Sequence, residues 1–70
     1  MMVKSLLHVE GMSCEHCVKT IRAMVGALPG VADVSVDLNQ KTVTVNHDPA
    51  QSPLDKIRLE IEDQGYGVVV

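Results

Sequence analysis

Phenylalanine and tryptophan are absent from this 70-residue chain, and Tyr66 is its only aromatic residue. The core must therefore be filled with Val, Leu, Ile and Met. Basic residues are scarce: six Lys and Arg against nine Asp and Glu leave a net charge of −3. That balance argues against nucleic acid as a partner, since such a surface needs clustered cations. No apolar run approaches the roughly 20 residues that span a bilayer, so no membrane insertion is expected. The opening Met1-Met2-Val3-Lys4-Ser5-Leu6-Leu7 lacks an apolar region followed by a small-residue cleavage site. Without export, the expected location is cytoplasmic. In that reducing compartment a cysteine pair more often binds metal or does chemistry than staples a fold. A chain of this length buries only roughly 60% of its unfolded surface. One domain, residues 1–70, is therefore expected, with no linker, low-complexity tract or solenoid repeat.

What the chain does have is Gly11-Met12-Ser13-Cys14-Glu15-His16-Cys17, which holds both of its cysteines. The stretch lies between an alternating run and an amphipathic one. Thiols placed where a strand becomes a helix meet unpaired backbone N–H groups and the positive end of the helix dipole, which favour thiolate. Thiolate binds soft metals and also attacks disulfides, so the position suits either chemistry.

Residues 3–9 alternate as a strand, with Val3, Ser5, Leu7 and Val9 on one face. Gly11 breaks it, and Ser13 is the expected N-cap of the next helix. Val18, Ile21, Val25 and Leu28, with Met24 beside them, form that helix's apolar stripe, and Pro29-Gly30 ends it. Residues 31–38 alternate again, Asn39-Gln40 occupies a hairpin position, and residues 42–45 return as a third strand. Ser52-Pro53-Leu54-Asp55 reads as a helix start, with Ser52 as cap and Pro53 at the first helical position. Leu54, Ile57 and Ile61 form its buried stripe, and Leu59 is expected outside. Gly65 stops this helix, and Tyr66 to Val70 reads as the last strand.

The order β-α-β-β-α-β folds most simply as an α+β, ferredoxin-like sandwich: a four-stranded antiparallel sheet with two helices on one face. Following the direction of each element, the cysteine loop and the Gln64-Gly65-Tyr66 turn lie at the same end. Tyr66 then becomes a neighbour of the cysteines.

Two thiolates without clustered further ligands restrict the metal. Structural zinc wants four protein ligands, and His8, His16 and His47 do not supply the spacing. Iron–sulfur clusters want four cysteines. Cu(I) is soft and accepts two sulfurs. The seven-residue motif matches the GMxCxxC signature of the heavy-metal-associated domain, and Ile61-Glu62-Asp63-Gln64-Gly65-Tyr66 resembles the C-terminal part of its bacterial cytosolic copper chaperones. The resemblance covers the whole chain. It implies the same sandwich fold, Cu(I) held by Cys14 and Cys17, and no enzymatic activity. Ser13 stands where zinc and cadmium relatives often have Asp, and Tyr66 stands where ATPase domains of the family often have Phe; both favour a copper chaperone.

Other residues of the motif have two readings each. His16 is a third ligand or an exposed spacer. Met12 is a ligand or an unbranched core filler. Tyr66 tunes the site from beside it or merely caps the sheet. Lys19 and Arg22 are a solvated helix face or a docking surface. The expected partner is the metal-binding domain of a copper-transporting P-type ATPase, reached by ligand exchange. A copper-responsive repressor is the alternative recipient, which would make the protein a copper buffer or donor. The apo form is expected to be a monomer, with a copper-bridged dimer accessible. The competing reading from enzyme chemistry is a small thiol–disulfide oxidoreductase.

Overall fold

The computed structural model describes residues 1–69. Val70, assigned above to the last strand, lies outside the described residues. The elements are β1 (Val3–Glu10), α1 (Glu15–Gly26), β2 (Val31–Asp37), β3 (Thr42–His47), α2 (Leu54–Asp63) and β4 (Gly67–Val69). The four strands form one antiparallel sheet in the order β2-β3-β1-β4, so the expected ferredoxin-like arrangement holds. No helix among the described residues is long and apolar enough to cross a membrane.

Alternation in the strands decides which face is covered. Leu7 and Val9 of β1, Val34 of β2, and Val43 and Val45 of β3 are buried against Ile21 and Val25 of α1 and Ile57 and Ile61 of α2. The intervening Leu6 and His8 are exposed on the other face. Leu59 is 59% exposed, off the stripe of α2 as its spacing requires.

Both expected helix caps shift by one residue. The N-cap of α1 is Cys14, in extended conformation and without a side-chain capping bond, so Ser13 lies outside the helix. The N-cap of α2 is Pro53, whose fixed φ of −68° suits the entry. Ser52 does not cap because its hydroxyl is used elsewhere. It is fully buried, and its Oγ donates to the carbonyl of Pro29 at 2.5 Å. The third strand also runs two residues further than expected, to His47, which is buried. Its Nδ1–H donates to the Ser52 carbonyl at 2.7 Å, and the Ser5 hydroxyl is 2.8 Å from Nε2. These bonds tie β1, β3, the α1–β2 turn and the entry to α2 together at the end opposite the cysteines.

Ser52→Ala removes the buried donor, while the Pro29 carbonyl, on an exposed residue, can turn to water, a loss of about 0.5–1.5 kcal/mol. Urea denaturation should show that fall, while the cysteine titration in the folded protein stays unchanged because the change lies at the other end of the sheet.

Candidate metal centre

β1 and α1 are joined by four residues, and the loop alternates between inside and outside. Gly11 takes φ +90°, a conformation that costs glycine little. A Cβ there would sit 3.5 Å from a ring carbon of Tyr66, so the ring lies against the loop. Met12 is 3% exposed and belongs to the core. Ser13 and Cys14 return to the surface, and Cys17, one turn on, is half-buried and packs on the core. The two sulfurs are 3.2 Å apart as free thiols, close enough for one to donate to the other.

The Cys17 thiol is drawn down from 9.0 to about 7, first by the hydroxyl of Tyr66 and next by the Cys14 thiol and the backbone N–H of Ser13. The same contact with Cys17 raises Tyr66. An acidified thiol was expected from the helix start. The backbone N–H donors do contribute, but the leading cause is a hydroxyl 49 residues away in sequence that the topology brings to this end.

His16 is exposed in the first turn of α1. Among the described residues, no group of three or more His, Cys, Asp or Glu side chains is placed to hold a metal. The structure thus brings together Cys14, Cys17 and Tyr66, sets Met12 beneath them in the core, and leaves Ser13 and His16 at the surface. It also brings up a segment that the sequence reading passed over. The β2–β3 hairpin stands at the same end, where the Lys41 carbonyl accepts from Val9 N–H at 2.8 Å. Leu38 and Lys41 line a cleft with Gly11, Met12 and Ser13. The element directions that bring Tyr66 to this end bring the hairpin there as well.

Residues 6–67 match the heavy-metal-associated domain family. The copper chaperone CopZ of Bacillus subtilis is 46% identical over 67 residues, 96% of this chain and 97% of that protein. The solved CopZ metallochaperone superimposes with a TM-score of 0.93 at 36% identity, covering 96% of this chain and all of that one (100%). The water-soluble region of the P-type ATPase CopA from Bacillus subtilis gives a TM-score of 0.93 at 36% identity, over 99% of this chain and 46% of that one.

Tyr66→Phe keeps the ring against Gly11 and removes the hydroxyl, so the Cys17 thiol should rise from about 7 towards 9.0. Thiolate absorbance against pH in the reduced apo-protein checks this. The sign of the accompanying stability change follows from proton linkage: a thiol lowered by folding stabilises the folded state increasingly above its folded value. Stability should therefore climb between about pH 7 and 9 in the wild type, and that gain is lost as the pH falls through about 7. Urea midpoints of Tyr66→Phe should climb less over the same window.

Proposed function

The chain belongs to the heavy-metal-associated domain family, and from that premise we propose that it is a cytoplasmic copper chaperone and not an enzyme. It would hold Cu(I) between Cys14 and Cys17 and pass it to the metal-binding domain of a copper-transporting P-type ATPase. The observation that carries this reading is the pair of free thiols 3.2 Å apart, Cys14 exposed and Cys17 half-buried, with Cys17 already acidified. Two thiolates suit a soft monovalent ion, whereas structural zinc wants four protein ligands. Relatives named copper chaperones match over nearly the full length, and an ATPase's water-soluble region shares the fold. Donor and acceptor would thus present similar loops to each other.

The two ligands would have different parts in transfer. A metal cannot enter while the sulfurs stay in hydrogen-bonding contact, so the pair must open. Cys14 is the exposed member, at the N-cap, and among the described residues its one side-chain hydrogen bond is to Cys17. Cys17 is packed on the core and steadied by Tyr66. Cys14 would therefore open to admit the metal and be the first to leave it when an incoming thiolate from the partner binds the metal in its place. Cys17 would leave last. Each thiolate that leaves takes up a proton from solvent as the acceptor's thiol gives one up, so charge and protons balance and copper is never free. The same open position allows a second copy to share the metal in a dimer, with the apo-protein monomeric. A metal-responsive repressor carrying two thiols would be served by the same exchange.

Anaerobic competition with a Cu(I) chelator tests the ligand set. Cys14→Ser and Cys17→Ser should each lose most of the affinity, and His16→Ala should stay close to wild type. Wild-type affinity in either serine variant would remove the two-thiolate site. Transfer to an isolated CxxC acceptor domain should outrun spontaneous copper loss and accelerate with acceptor concentration. Transfer at the dissociation rate, whatever the acceptor concentration, would leave a buffer in place of a chaperone.

A further inference from the structure

Away from the cysteines, a groove of about 410 Å³ runs between α1 and β2. One wall is formed by Lys19, Arg22, Ala23 and Gly26, residues at the spacing of a single helix face. The other side is the start of β2, Val31 to Val34. This strand is at the sheet's edge and pairs, among the described residues, only with β3, so its outer N–H and C=O groups have no strand partner there. Its register breaks between Val31 and Asp33, which leaves Ala32 with no residue opposite it on β3.

Two features of the α1 wall make this more than an ordinary edge. Its far part is small: Ala23 is followed a turn later by Gly26, where an added Cβ would meet no atom within 4 Å, so a backbone can approach closely. Its part nearer the cysteines is cationic. Lys19 and Arg22 are exposed and form none of the ion pairs among the described residues. Asp33, the single acid in the groove, lies near the start of β2. Because β2 runs in the same direction as β1, that start is away from the cysteine end, whereas Lys19 is two residues beyond Cys17. The groove is therefore positive towards the cysteines and mildly negative at its far end.

The geometry points to this groove as a docking site for an extended, acidic segment of a partner protein, which adds to the β2 edge as a fifth strand. Main-chain hydrogen bonds to β2 supply the pairing. The segment's acidic side chains meet Lys19 and Arg22, and a residue that is not acidic lies opposite Asp33. Copper takes no part in this contact, so it stands or falls separately from metal transfer.

The test uses the full apo-protein and a capped eight-residue peptide that alternates aspartate with valine or threonine, followed by backbone amide NMR. Saturable shifts centred on residues 31–34 and α1 are expected. Lys19→Glu with Arg22→Glu should weaken binding at least tenfold. Gly26→Val, which projects its methyl groups into open space on the groove wall, should weaken it comparably with Cu(I) affinity unchanged. A peptide of the same charge with proline at alternate positions cannot form the ladder and should not bind. The proposal is overturned if that proline peptide binds as well, if a single-stranded oligonucleotide displaces the peptide from the same residues, or if the shifts fall outside the groove. Concentration-dependent shifts at residues 31–34 without peptide would assign the edge to a second copy of this chain and equally overturn it.

Discussion

With no Phe or Trp to fill space, the core reaches the cysteine end of the sheet through an aliphatic thioether. Met12 is buried among Val, Leu and Ile side chains, while the residues on either side of it, Gly11 and Ser13, are exposed. A loop of four residues anchored at its second position has little freedom. Gly11 must turn through a positive φ to bring Met12 inward, and Ser13 and Cys14 are then forced back out before α1 can begin. The exposure of Cys14 follows from the burial of Met12. Replacing that anchor by a short side chain would leave a cavity worth about 2–5 kcal/mol and loosen both thiols together.

The anchor also makes the two cysteines unequal. Cys14 ends the loop, and Cys17 begins the buried face of α1, one turn closer to the core. Tyr66 reaches only the inner thiol strongly, so the chain's one aromatic ring is used to acidify a sulfur and to cover Gly11. In the proposed copper site that asymmetry would serve transfer: the half-buried Cys17 would keep the ion bound while the exposed Cys14 left room for an approaching thiolate.

Much of this was legible in the sequence because it rests on period and connectivity. Alternation marked the strands, helical spacing marked the stripes of α1 and α2, and the direction of each element put Tyr66 beside the cysteines before any coordinate did. The errors came from side chains with more than one available partner. Ser13 and Ser52 both look like caps, yet Ser52 bonds to a carbonyl 23 residues away, and no local rule reports a partner at that distance. His47 stands beyond the third strand as its sequence reads, and its burial depends on finding partners in Ser5 and Ser52. The acidity of Cys17 was inferred from its helix position, but its largest cause is the tertiary contact with Tyr66. Period reads the backbone, whereas polar side chains are settled by what the finished fold places within 3 Å of them.

The ends of the sheet divide the work. Polar bonds through His47, Ser52 and Pro29 lock the far end, where nothing needs to move. The cysteine end keeps free thiols, an exposed helix start and a hairpin held by its backbone to β1. Rigidity at one end allows looseness at the other, because β1 and β3 are paired from Val3↔His47 to His8↔Thr42 and transmit the register along their length. Opening Cys14 then costs only a local rearrangement at a helix cap that makes no capping bond. A thiol that served as a conventional hydrogen-bonded cap would have to break that bond on each loading cycle. The cap without a side-chain bond, a defect by the usual rules of helix stability, leaves Cys14 free to open, as the outer ligand of the proposed copper site would have to.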